Sequence, residues 1–200
     1  MSTTNGKESL LRKAGWFGAW LLTLAIAFGA GTWTGYEMPR SGVDPQDYIE
    51  SVFTPYEDGL QHYLEFLDRA HNSVNIAAYS FTHPEIVDKL IELKMTRGVI
   101  VRVLLDLSQS HNKSEKAQIE RLRQTGIEVV IGKSESHGQI MHHKYTVVDE
   151  IWVYSGSWNF SKSANHQANE LDFVRSKKRA RVFLANWHRM YRFMKAHASP

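Results

Sequence analysis

From Ser73 onward the chain alternates short apolar runs with longer stretches whose apolar residues recur every three or four positions. "SVNIAAYSF" at 73–81, "VIVRVLLD" at 99–106 and "IEVVI" at 127–131 have the length and the β-branched content of buried strands. The intervening segments have helical spacing. One runs from Leu60 to Ala70; one is capped by Thr82, opens on Pro84 and Glu85 and stops at Gly98; one, "SEKAQIERLRQTG", closes at Gly126. "HHKYTVVD" and "IWVYSG" then predict a strand pair, "NELDFV" a further strand, and "KKRARVFLANWHRMYRFMKAH" a long last helix, with a short strand near Val52 and Phe53. Strands alternating with helices define an α/β domain: a central sheet, mixed or largely parallel, flanked by helices as a sandwich.

The first 36 residues have a different pattern. Lys7, Arg12 and Lys13 precede an uncharged run from Ala14 to Tyr36 with Trp16, Trp20, Trp33 and Tyr36 placed like interfacial anchors. The run exceeds the roughly 7–15 residues of a signal-peptide core and matches the roughly 20 of a spanning helix, which favours an N-terminal hydrophobic helix retained as a signal anchor. Small residues at Ala25, Ala27, Gly29 and Gly31 keep a cleaved signal peptide open. The chain therefore divides into a targeting segment at 1–36, a linker at 37–49 and a catalytic-sized domain at 50–200. The cationic flank predicts export, with the domain periplasmic or held on the periplasmic side of the inner membrane.

Composition narrows the chemistry. The chain has 200 residues, 42% hydrophobic and 22% charged, and no cysteine, which excludes thiol nucleophiles, disulfides and cysteine-ligated zinc. Charge is uneven. Residues 37–150 hold 12 basic and 18 acidic side chains, residues 151–200 hold 9 and 2, so the C-terminal quarter suits a polyanion or simply a solvated helix face.

The chemistry-bearing stretch is "HHKYTVVDEIWVYSGSWN". On a strand, residues two apart share a face, so His142 and Lys144 point together, His143, Tyr145 and Val147 point away, and Asp149 falls at the strand end. An imidazole beside an ammonium suits phosphoryl transfer: the ring attacks phosphorus or moves a proton while the lysine neutralises a phosphate oxygen. Ser157 and Asn159 supply further hydrogen-bond donors, and Glu170 is placed to fix the imidazole tautomer. His62, His71, His83, His111, His166, His188 and His197 are read as structural. Tyr79, Phe81 and Trp152 are read as core, and Trp158 is left undecided. His137 with His142 or His143 is a conceivable metal pair, but no H-E-x-x-H or acidic cluster accompanies it, so no metal and no cofactor is expected.

These residues carry a resemblance. His142, Lys144 and Asp149 in H-x-K-x(4)-D spacing, then Gly156, Ser157 and Asn159 in "GSWN" and Glu170 in "NE", resemble the phospholipase D superfamily, especially its small single-motif bacterial endonucleases. The resemblance covers most of residues 50–195. It implies a phospholipase D-like sandwich in which His142 forms a phosphohistidine, Lys144 and Asn159 bind phosphate, Ser157 and Glu170 orient the histidine, and Asp149 braces the motif. It also implies a homodimer, because the family needs a second motif histidine as general acid and this chain has one copy. The expected substrate is DNA, with RNA as a second one, cleaved without sequence preference or metal. Hydrolysis of an anionic phospholipid such as cardiolipin is the alternative, suited to a membrane-bound protein.

Overall fold

The computed structural model describes residues 47–197, so the targeting segment and most of the linker lie outside the described residues. Seven strands, β1 (Tyr48–Thr54), β2 (Ser73–Ala78), β3 (Ile100–Asp106), β4 (Glu128–Gly132), β5 (Lys144–Val148), β6 (Trp152–Gly156) and β7 (Asn169–Arg175), form one sheet in the order β1-β7-β6-β5-β2-β3-β4. The helices are α1 (Gly59–Leu67), α2 (Pro84–Arg97), α3 (Leu107–Ser110), α4 (Lys113–Gln124) and α5 (Lys177–Ala196). The sheet is mixed. Only the β2–β3 and β3–β4 pairs are parallel, because only there does a helix return the chain to the starting edge; every other neighbour pair is antiparallel. Strand β1 takes in Tyr48 and Ile49 from the stretch read as linker, held by pairing with β7.

Two elements were not legible: α3 and a 3-10 turn at Lys162–His166, both shorter than a hydrophobic period can reveal. One cap differs as well. His83, not Thr82, is the N-cap of α2, since the Thr82 and His83 N–H groups both donate to the Phe160 carbonyl and Pro84 holds its predecessor extended. Gly98 closes α2 in the left-handed region, at φ 68°, as its position predicts.

Alternate residues of each strand feed two cores. On one face Val74, Ile76, Val103, Val148 and Tyr154 pack beneath α1, α2 and α4. On the other, Ala77, Leu104, Tyr145, Val147 and Val153 are covered by Ala180, Leu184, Trp187 and Met194 of α5. Phe81 and Trp158 are fully buried, and Trp152 is half-buried between Arg69 and Arg175. Thr146 crosses the first core to meet the Tyr63 hydroxyl at 2.7 Å, leaving neither hydroxyl unpaired. The register therefore fixes which face Lys144 takes: that of Thr146 and Val148.

Candidate active site

The start of β5, the ends of β2, β3 and β6 and the start of β7 meet along one edge of the sheet. Strand β5 begins at Lys144, so His142 and His143 precede it, although the Tyr79 N–H still donates to the His143 carbonyl at 2.8 Å. His142 and Lys144 nevertheless converge. Lys144 Nζ lies 3.3 Å from His142 Nε2 and donates to the His142 carbonyl at 3.1 Å. His142 is exposed and Lys144 only 8% exposed, so the ammonium is held inside while the imidazole fronts solvent. Burial lowers the pKa of both; the Lys144 charge lowers that of His142 further, and Asp106 opposes it. A neutral imidazole is a nucleophile, and the ammonium beside it is a fixed partner for phosphate charge.

Tyr79, assigned to the core from its sequence, belongs to this site. Its ring meets the His142 ring edge-on at 4.5 Å and lies 5.0 Å from Lys144 Nζ, while its hydroxyl accepts from Gln109 Nε2 at 2.9 Å. The reason is its place one residue past β2, where the pleat no longer dictates burial. A cation over the tyrosine face is favoured by about 1 kcal/mol, which helps keep the buried Lys144 charged.

Ser157, Asn159 and Glu170 come to the same edge, but not to the imidazole. The Ser157 hydroxyl donates to Glu170 Oε2 at 2.7 Å and to Asn169 Oδ1 at 3.1 Å, and the Glu170 N–H returns a bond to Ser157 Oγ at 3.1 Å. Among the described residues the His142 side chain has a hydrogen-bond neighbour only in Lys144, so neither Ser157 nor Glu170 orients it within one chain. Gly156 permits their pairing: a Cβ there would sit 2.2 Å from the Glu170 carbonyl oxygen. Asn159 Oδ1 is buried and has no hydrogen-bond partner among the described residues.

Asp149 is not brought to the site. It lies at the opposite end of β5, where its carboxylate accepts the His71, Asn72 and Ser73 N–H groups at 2.8 Å each. Its backbone is left-handed, φ 51°, so the carboxylate turns back onto the loop before β2. Asp149→Asn should cost about 1–2 kcal/mol in chemical denaturation, because an amide presents N–H to N–H. Turnover per folded molecule should stay within about threefold, since the change is a strand length from the imidazole.

The fold and this edge define an α/β protein that sets an exposed histidine beside a buried lysine at the end of its sheet. Residues 63–190 match the family model described as "Cardiolipin synthase, PLD-like domain". The chain belongs to the phospholipase D-like family. It is 31% identical over 131 residues to the mitochondrial cardiolipin hydrolase of Chlamydomonas reinhardtii, covering 66% of this chain and 55% of that protein. It is 31% identical over 140 residues to the phospholipase D of Rickettsia prowazekii, covering 70% and 65%. The crystal structure of Nuc, a phospholipase D family member from Salmonella typhimurium, superposes with a TM-score of 0.69 at 27% identity, covering 74% of this chain and 95% of Nuc. The chain thus spans between about half and two thirds of the two curated relatives and nearly all of Nuc.

Proposed function

We propose that the protein is a phosphodiester hydrolase that cleaves nucleic acid, DNA foremost and RNA as a second substrate, without sequence preference and without a metal. The observation that carries the reaction class is the exposed His142 imidazole set 3.3 Å from the buried Lys144 ammonium. In the first step an imidazole nitrogen attacks phosphorus, the P–O bond to the leaving alkoxide breaks, and Lys144 and Asn159 hold the non-bridging oxygens. The alkoxide needs a proton. Since His142 has no second base as a hydrogen-bond neighbour among the described residues, a two-fold dimer would supply it from the imidazolium of a second copy. That ring then takes a proton from the water that cleaves the P–N bond, and both histidines return to their starting states.

Nucleic acid is favoured by the exposed cations of α5. Lys177, Lys178, Arg181 and Arg192 form no ion pair among the described residues, unlike Arg189 with Glu135 and Lys195 with Glu128. Phosphate contacts of this kind carry affinity without reading sequence. Phospholipid hydrolysis is the second reading, favoured by the names of the two curated relatives and by the apolar run at 14–36. That run and its basic flank also support a domain outside the cytoplasmic membrane, tethered if the segment is kept. Full-length protein incubated in excess EDTA with plasmid DNA, RNA and cardiolipin vesicles separates the two. The nuclease account expects nicking of DNA that falls steeply with added salt. Release of headgroup with intact plasmid would transfer the assignment to lipid.

A further inference from the structure

Asp106 ends β3 with a carboxylate that has no exposure at all and no cation beside it. Its oxygens are instead saturated by neutral donors. Oδ2 accepts the Met141 N–H at 2.7 Å; Oδ1 accepts the Ser108 N–H at 2.8 Å and the Ser108 hydroxyl in a short hydrogen bond. A buried ion without a counter-ion costs several kcal/mol unless such bonds offset it, so these three donors are what makes the carboxylate tenable there. One of the three donors belongs to the residue immediately before His142.

We propose that Asp106 is a positioning residue for His142, its carboxylate anchoring the segment that carries the imidazole and setting a negative charge against the Lys144 ammonium at the ring. Met141 is 2% exposed and packs in the core beneath α5, so the Asp106 bond fixes a backbone whose next residue turns outward to solvent. The charged and titratable groups near the imidazole are Lys144, the Tyr79 ring, His143, Asp106 and the Arg189–Glu135 ion pair that lines the same cavity, while Glu115 of α4 neighbours Asp106. Burial first, and then Lys144, disfavour imidazolium; Asp106 favours it. The carboxylate thus keeps the ring basic enough to attack and, in its other role, to carry a proton.

The inference rests on His142 being the reacting group, but its first test needs no turnover. The imidazole of His142 is titrated by NMR in the full-length protein, in wild type, Asp106→Asn and Ser108→Ala. Asp106→Asn should lower the His142 midpoint by roughly half a unit to one unit. Ser108→Ala removes a neutral donor, leaves the carboxylate less compensated and should shift the midpoint the other way, which keeps the test alive if the asparagine variant does not fold. Where turnover is measured, Asp106→Asn should lower kcat about ten- to a hundredfold with KM changed by less than about twofold. Unmoved midpoints in the folded variants would overturn the inference even if the wild type is fully active. Moved midpoints in a protein that cleaves no phosphodiester would leave Asp106 in its role and sink the hydrolase assignment instead.

Discussion

His142→Ala should abolish phosphodiester cleavage, by a factor of at least about a thousand, while leaving the fold intact. The imidazole is exposed and touches Tyr79 by its edge, and the buried Lys144 ammonium that loses the ring keeps the His142 carbonyl as an acceptor, so its removal opens no cavity. The stability change should stay within about 0.5 kcal/mol. Affinity for a nucleic acid should also survive, because it resides in Lys144, Asn159 and the α5 cations rather than in a neutral ring. Comparing cleavage with filter binding at one salt concentration checks both halves. Loss of binding along with turnover would make His142 a contact residue, and undiminished turnover would remove it from the chemistry.

The second large effect concerns stability and comes from Glu115. This residue opens α4 as one of a run of polar side chains, yet it is fully buried, with Oε2 accepting the Phe81 N–H at 2.9 Å and Oε1 unpartnered. Burial first, and then the neighbouring Asp106 charge, push its pKa up to about 7 against the Phe81 bond that lowers it. A carboxyl raised in the folded state binds its proton more tightly there than in the unfolded chain. Its contribution is therefore complete below the unfolded pKa near 4.5 and is lost as pH rises through about 7. Over that window the loss amounts to about 3 kcal/mol, from 1.36 kcal/mol per unit. Glu115→Gln keeps an acceptor for Phe81 and removes the titration. The variant should match the wild type near pH 4.5 and exceed it by about 2–3 kcal/mol above pH 8, read from urea midpoints at both pH values. Parallel pH profiles for the two proteins would contradict the buried, titrating carboxyl.

The sequence showed the site's chemistry better than its surroundings. His142 and Lys144 were paired by strand periodicity alone, and they do converge, although the strand starts only at the lysine. Asp149 shares their motif but not their place, because five residues of β5 carry the chain to the opposite edge of the sheet. Spacing in a sequence says which residues share a face and nothing about which end of a strand is functional. Tyr79 and Asp106 were missed for a related reason. Each sits at or just past the end of a strand, where an apolar run gives no sign of what its side chain will meet. A carboxylate closing "VIVRVLLD" was the one visible signal for Asp106. Glu115 offered none: a helix opening on Lys113, Ser114, Glu115 and Lys116 reads as polar throughout, and only the tertiary fold buries its third residue.

Phosphorus is expected to pass through a covalent bond to His142. The direct measurement is rapid mixing of the enzyme with an activated phosphodiester such as bis(p-nitrophenyl) phosphate, an alkaline quench that spares phosphoramidates, and mass spectrometry of the digested protein. The account predicts a phosphoryl adduct on the peptide containing His142, formed within the first turnover and absent from His142→Ala. Hydrolysis that proceeds at full rate with no adduct on that peptide, and persists in His142→Ala, would contradict it.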